Sequence, residues 1–427
     1  MKKLPLTILV AGVLACPVPV CAADLMLTNA RVWDGTGSSV IENATVVFEG
    51  RRILYVGADK HADTSGAVVV DVGGRTVIPG LINAHFHLFF DFYSDKVYVG
   101  RSEADVAAFT RDKLPGILSG HLENGFTTMV SAIDFWPNVL QVRADVDEDK
   151  LRGPRLLVAG GVLMSPGGHY ACRVLPEDER DWCDRHIAVP VADPAAARAA
   201  VDVLAKSGVD MIMYDGLTNT TGLKPDVVRA ISEQADRHGL AVFVHNADAR
   251  DAAAMVEAGV DGFLHPPGVT SDSTGELLRP VGAAGTPLAV TMGRSERTIR
   301  RGLASERQKK DYEIVRRNVL HLLDAGATPL FASDYPGIPA GEVAAMVTKV
   351  MKGVGLSNLQ ILQAATRDAA RVLRIPEIGT IAPGQFGDVI VVDGDPIKDL
   401  AALSNVMLVV KDGVIQYDNM TKAPTAE

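Results

Sequence analysis

Val77-Ile78-Pro79-Gly80-Leu81-Ile82-Asn83-Ala84-His85-Phe86-His87 begins as an apolar run and ends on two histidines one residue apart. The run Val77–Asn83 reads as a strand, and the histidines stand at its end. Residues two apart in an extended chain face the same side, so both imidazoles can aim at one point. Seven more apolar strands follow: Thr127–Ala132, Arg155–Ala159, Met211–Tyr214, Ala241–His245, Gly262–His265, Pro287–Thr291 and Pro329–Ser333. Amphipathic stretches lie between them, such as Pro225–His238 before Gly239 and Asp248–Ala258 before Gly259. Glycines placed there are ordinary helix terminators. Ser357 caps a last predicted helix through Leu373. Eight strands alternating with helices favour an α/β (β/α)8 TIM barrel over an open sheet.

Outside this middle the texture changes. Short alternating segments at Leu25–Trp33, Ala44–Phe48, Arg52–Val56 and Val68–Val72 are separated by Gly, Asn and Asp turns. The same pattern returns at Asp388–Val392, Val406–Val410 and Val414–Tyr417. Two such pieces around one long middle predict a small β-sandwich built from both termini. The division is then 23–76 and 376–427 for the β-sandwich and tail, with the barrel over 77–375.

Residues 1–22 read as a signal peptide: Lys2 and Lys3, the apolar run Leu4–Ala15, then Cys21, Ala22 and Ala23. That run is too short for a stable membrane span. It predicts export, to a bacterial periplasm or beyond, with lipidation at Cys16 as the alternative. Two of the four cysteines fall in this segment. Cys172 and Cys183 remain, and an oxidising compartment favours a disulfide between them over two separate thiols. Its closed loop would contribute up to about 3 kcal/mol. The chain of 427 residues carries a net charge of −10, which argues against nucleic acid or an anionic membrane as partner. A homo-oligomer is compatible with the sequence.

Barrel catalysts gather at the C-terminal ends of strands. His85 and His87 end the first, His245 the fifth, His265 the sixth, and Asp334 the eighth. A lone His-x-His is more often a solvated or core pair than a ligand pair. Joined by two more strand-end histidines and an aspartate, it predicts a site for zinc or a related divalent ion.

The chain resembles the amidohydrolase superfamily along nearly all of its mature length. The resemblance rests on the stretch 77–87, Gly125-Phe126-Thr127-Thr128, Gly153-Pro154-Arg155 and Ser165-Pro166-Gly167-Gly168-His169. It continues in Ala332-Ser333-Asp334, in 364–370, and in the tail Gly379-Thr380-Ile381-Ala382-Pro383-Gly384-Gln385-Phe386-Gly387-Asp388. The branch it resembles holds Xaa-Pro dipeptidases, ochratoxin-type amidases and imidazolonepropionase-like proteins. The resemblance implies His85, His87, His245, His265 and Asp334 as metal ligands, holding one or two divalent ions such as zinc. It implies Asp334 as general base and acid, and His169 as an aid to carbonyl polarisation.

One position departs from the branch. Where a lysine with a carboxylated side chain bridges two metals, this chain has Met213, and neither Lys206 nor Lys224 is in register to replace it. A thioether forms no carbamate and is a poor ligand for such ions. Three readings follow, in order: one metal, two weakly held metals, or a binding protein without catalysis. Deaminases similar to the adenosine and cytosine type carry a glutamate after strand five. Here His245 precedes Asn246-Ala247-Asp248.

Arg294, first of a group with Arg297, Arg300 and Arg301, follows strand seven and is a candidate for a substrate carboxylate. The bland alternative is a solvated, positively charged helix face. Tyr214, with Tyr170 and Tyr335, is a candidate pocket wall. The expected reaction is hydrolysis of an amide or dipeptide bond in a small carboxylate-bearing molecule. Its rivals are a cyclic-amide hydrolase or deaminase, and a non-catalytic ligand-binding protein.

Overall fold

The structure is a computed structural model that describes residues 24–58, 66–89, 92, 102–166, 185–216, 224–268, 270–334 and 337–420. The predicted signal peptide, His169, Tyr170, Tyr335 and the Cys172–Cys183 pair lie outside the described residues.

Five strands open the chain: β1 (Leu25–Val32), β2 (Ile41–Glu49), β3 (Arg52–Gly57), β4 (Val68–Asp71) and β5 (Thr76–Pro79). Ten follow in the middle: β6 (Leu81–Phe86), β7 (Phe126–Ser131), β8 (Arg155–Val158), β9 (Val162–Met164), β10 (Ala188–Pro190), β11 (Met211–Tyr214), β12 (Ala241–Val244), β13 (Gly262–Phe263), β14 (Pro287–Ala289) and β15 (Thr328–Leu330). Three close the chain: β16 (Val389–Val392), β17 (Val406–Lys411) and β18 (Val414–Asp418).

The terminal strands join in one branched sheet, in the order β18-β17-β16-β5-β1-β2-β3. β1 divides one edge between two parallel partners, β4 along Leu25–Thr28 and β5 along Arg31–Val32. β16 runs antiparallel to β5, pairing Val389 with Pro79 and Val392 with Thr76, and so ties the two ends of the chain together. Leu27, Val46, Phe48, Val77, Val391 and Leu408 fill a core belonging to this sheet. The larger core fills the barrel and the layer of helices around it.

The predicted strand Val77–Asn83 is two strands. β5 belongs to the terminal sheet and β6 to the barrel, with the break at Gly80. Close packing makes this a glycine position: a Cβ there would meet Thr127 Oγ1 at 2.1 Å. The helix predicted from Ser357 through Leu373 is also two, Asn358–Ala364 and Arg367–Val372. Ser357 does cap the first, through a reciprocal box with Gln360. The break arises because the carbonyls of Ala364 and Ala365 accept bonds from Phe331 and Ile82 of the barrel wall. The helix predicted from Asp248 begins only at Ala252, since the Asp248 carboxylate is engaged by the amide and guanidinium of Arg250.

Among the described residues eight parallel strands form the barrel wall, in the order β6, β7, β8, β11, β12, β13, β14, β15. Two joins complete it. The Asp210 amide donates to Val158 O (2.8 Å), and the Val158 amide to the Asp210 carboxylate (2.8 Å). On the other side Ala84 N donates to Phe331 O (2.9 Å) and Asp334 N to His85 O (2.9 Å). That second join carries the first and last strands of the barrel, and with them His85 and Asp334.

Candidate metal centre

His85 is the fifth residue of β6, and His87 follows one residue beyond its end. His245 and His265 continue β12 and β13 past their last paired residues. Asp334 lies four residues beyond β15, with a left-handed backbone at φ +63°. That conformation is uncommon for a residue other than glycine, and it persists only where the surroundings enforce it. Here the enforcing bonds come from the Asp334 amide to His85 O and from Asn83. The Asn83 side chain donates to Ser333 Oγ (2.8 Å) and accepts from Ser333 N (3.1 Å).

The five side chains converge. His85 Nε2 lies 3.2 Å from His87 Nε2 and 3.1 Å from Asp334 Oδ1. His87 Nε2 is 3.3 Å and His265 Nε2 3.7 Å from the same oxygen, and His245 Nε2 is 3.1 Å from His265 Nε2. Metal–nitrogen bonds of about 2.0–2.1 Å would hold neighbouring ligand atoms roughly 3.3–3.4 Å apart, so these distances suit side chains that hold a metal ion. The triads His85–His87–His245 and His85–His265–Asp334 each satisfy the geometry for holding an ion, and they share His85.

Electrostatics favours the same interpretation. Burial, opposed by the neighbouring Asp334, drives the His85 pKa down to about 3. Burial also lowers His265 and takes His245 well below the usual range, helped there by the facing imidazoles. Neutral imidazoles keep a lone pair for a metal, whereas at His87 burial is outweighed by Asp334, with Asp134 and the Ile133 carbonyl, and its pKa is raised. Burial pushes the Asp334 carboxyl up, but the His265, His85 and His87 rings outweigh it and hold it well below the carboxylate range. One anion and several neutral imidazoles suit zinc and its neighbours. The Asp334 side chain keeps 23% exposure and His85 none, so the carboxylate can meet solvent or substrate while His85 cannot.

Partners behind the ligands fix their orientation, and sequence reasoning did not find them. His87 Nδ1 donates to Ile133 O (2.9 Å), and His265 Nδ1 pairs with Thr291 Oγ1 (2.7 Å). Both contacts leave Nε2 facing inward. Asp134 accepts from the amides of Leu88 and Phe89 (2.8 Å each) and from Ser131 Oγ (2.6 Å), which pins the turn after His87. Asn83 was detectable in one respect, since two residues before His85 it shares that residue's face of the strand. We expect Asn83→Ala to lower metal affinity or kcat about 10–100-fold. Metal titration with steady-state kinetics checks this, and an unchanged value of both would show that Ser333 and Asp334 hold themselves.

The other candidates are placed differently. Met213 pairs with Phe243, two residues before His245 on the same face of the wall, and is fully buried. Lys206 ends the helix Pro194–Ser207, and Lys224 Nζ bonds Ala192 O (3.1 Å), so neither supplies an amine to the site. Arg294 lines a cavity of about 420 Å³ that opens beside His265 and is also bounded by Thr298, Gln308, Asp311 and Tyr312. Tyr214 does not line it. It is 1% exposed and its hydroxyl pairs with Ser165, with burial pushing its pKa up to about 12. Tyr214 is thus packed into the wall, because β11 turns it away from that cavity.

Known proteins share this architecture. An imidazolonepropionase of Streptomyces griseus is 24% identical over 416 residues, covering 91% of this chain and 95% of its own. An Xaa-Pro dipeptidase solved with methionine in its active site superposes with a TM-score of 0.77 at 22% identity, over 92% of this chain and 99% of its own. The ochratoxinase of A. niger gives 0.76 at 20% identity, over 93% and 96%. Residues 76–416 match the amidohydrolase family. Match, barrel and converging donors together make this chain a member of the amidohydrolase family, a metal-dependent hydrolase of carbon–nitrogen bonds.

Proposed function

We propose that the chain hydrolyses an amide or peptide bond in a small, carboxylate-bearing substrate, using one zinc ion held by His85, His87, His245, His265 and Asp334. The observation that carries this reading is the convergence of five donor atoms at ligand spacing, with only a thioether at position 213. Methionine supplies no anionic side chain to bridge a second ion, so a pair would depend on water or another ligand as its bridge. When bound, the ion acts as a Lewis acid and brings the pKa of a water from about 15.7 towards roughly 7.

The protein's own groups do the rest. Asp334, ionised and partly exposed, takes a proton from the attacking water and returns it to the departing amine. Its left-handed backbone, held by Asn83 and Ser333, keeps the carboxylate over the cluster through both transfers. His169 is proposed to polarise the carbonyl. Arg294 supplies a cation to the cavity beside His265, a volume within the usual range for small ligands. The methionine bound in the dipeptidase neighbour carries a free carboxylate, which supports this choice of substrate class. Cyclic amides are the second reading, favoured by the full-length similarity to imidazolonepropionases. We place the protein outside the cytoplasm on the strength of Lys2, Lys3 and the run Leu4–Ala15, with a Cys172–Cys183 disulfide. Cell fractionation with thiol counting checks both.

The test pairs turnover with metal content. Zinc-loaded protein is expected to release amine from N-acyl amino acids or dipeptides and to hold about one ion per chain. Met213→Lys, given bicarbonate, is expected to raise that to about two. Two ions in the unaltered protein would overturn the single-ion reading. Ring opening of cyclic amides without amine release from the acyclic substrates would favour the cyclic reading, ammonia released from heterocycles would point to deamination, and no turnover at full metal loading would end the hydrolytic one.

A further inference from the structure

The ligand histidines differ in what faces their second ring nitrogen. At His87 it is the Ile133 carbonyl (2.9 Å), which can only accept, so Nδ1 carries a proton and Nε2 is left for the cluster. At His265 it is Thr291 Oγ1 (2.7 Å), whose own proton goes to the Leu264 carbonyl (3.4 Å), so that hydroxyl accepts as well. His85 Nδ1 is buried without a hydrogen-bond partner. His245 instead faces a group that can either donate or accept, the Asn246 amide, whose Nδ2 lies 2.6 Å from Nδ1.

An amide nitrogen only donates, so in this orientation His245 Nδ1 accepts. Burial keeps the ring neutral, and its single proton then sits on Nε2, 3.1 Å from His265 Nε2. A ring protonated at Nε2 has no lone pair there for an ion. Ligation through Nε2 therefore requires the proton on Nδ1 and an acceptor opposite it, which Asn246 supplies only by presenting Oδ1. The two ends of the amide exchange places in that turn. Oδ1 has no hydrogen bond among the described residues and is not sealed from solvent. Asn246 also lines the cavity of about 420 Å³, with His265, Thr291 and Arg294. The open end of the amide is thus available to a molecule seated there.

We propose that Asn246 is a specificity-determining residue that couples the cluster to the cavity. When His245 Nε2 is a ligand, Oδ1 accepts from His245 Nδ1, and Nδ2 is presented to the cavity to donate to the substrate carboxylate. The ring keeps one proton throughout, moved from Nε2 to Nδ1 by exchange with solvent. In the opposite orientation the cavity meets an acceptor oxygen, which repels a carboxylate. The inference rests on the cavity being the substrate site, as proposed above.

The experiment compares the full chain with Asn246→Ala and Asn246→Asp in two measurements. One is the zinc dissociation constant, by competition with a chelating dye; the other is KM for an N-acetyl amino acid at saturating zinc. Aspartate can accept from His245 Nδ1 but has no N–H to donate, and alanine does neither. Asn246→Ala is expected to weaken zinc binding about 10–100-fold and to raise KM about tenfold or more. Asn246→Asp is expected to bind zinc at least as tightly as the unaltered chain, yet to raise KM at least as much as Asn246→Ala. A residue that only packs would not separate the two variants in this way. An unchanged KM in either variant, unchanged zinc binding in Asn246→Ala, or zinc binding weakened equally in both would overturn the inference. Should Asn246→Ala not fold, Asn246→Leu, close to asparagine in shape, takes its place. Absence of turnover in the unaltered chain refutes the hydrolytic reading alone. Kd for the same N-acetyl amino acid, by calorimetry on the zinc-loaded chain, then replaces KM, and no binding there overturns this inference too.

Discussion

Asp334→Asn is expected to lower kcat about 10³–10⁴-fold with little change in the unfolding midpoint. Asparagine has nearly the shape of aspartate and tolerates the left-handed backbone at this position, so the substitution removes charge rather than structure. Two functions go with that charge. General base and acid catalysis by a positioned carboxylate contributes about 10²–10⁴-fold. The cluster also loses its one anion, which faces His85 at 3.1 Å, His87 at 3.3 Å and His265 at 3.7 Å. Metal affinity should therefore fall too. Measuring kcat at saturating zinc separates the two losses. If activity there stays within about tenfold of the unaltered enzyme, Asp334 is only a ligand and the proton moves elsewhere.

The second large effect concerns stability. Arg155→Met removes the guanidinium that pairs with Asp388, whose side chain is 2% exposed, and with Asp412. Burial already pushes the Asp388 carboxyl up, and Arg155 is the chief group opposing it. Breaking a buried ion pair from one side costs about 3–5 kcal/mol, because the remaining charge is stranded. For a chain of this size that corresponds to a fall in Tm of roughly 3–6 °C. Adding Asp388→Asn should recover part of the loss, since no buried carboxylate then needs a partner. An unchanged Tm in Arg155→Met would show that the β8–β16 junction does not depend on this pair.

Much of this architecture was legible in the sequence because it follows from local periodicity. Met211–Tyr214 is the strand expected to the residue, and the glycine after Pro225–Arg237 has the expected left-handed φ of +70°. The site was legible for the same reason. A barrel sends strand ends to one rim, so histidines at four strand-end positions imply convergence without knowledge of any contact.

What stayed hidden depended on long-range contacts. Nothing local shows that Thr127 closes on residue 80 and splits one apolar run between two sheets. Nothing near Thr366 shows that the barrel draws the carbonyls of Ala364 and Ala365 out of a helix. Val162–Met164 escaped notice because its partners, Ala188–Pro190 and then Met213 and Tyr214, lie about 25 and fifty residues onward. Asn83 and Asp134 look like ordinary polar residues until Ser333 and Leu88 are brought beside them.

The join between Ala84–His85 and Phe331–Asp334 unites residues 249 positions apart. A nascent or truncated chain that stops short of Asp334 can display four imidazoles but never the carboxylate that completes their set. Contacts of such high sequence separation form late, after loop-closure entropy has been overcome. The proton transfer proposed for Asp334 is therefore open only to a barrel whose first and last strands have met.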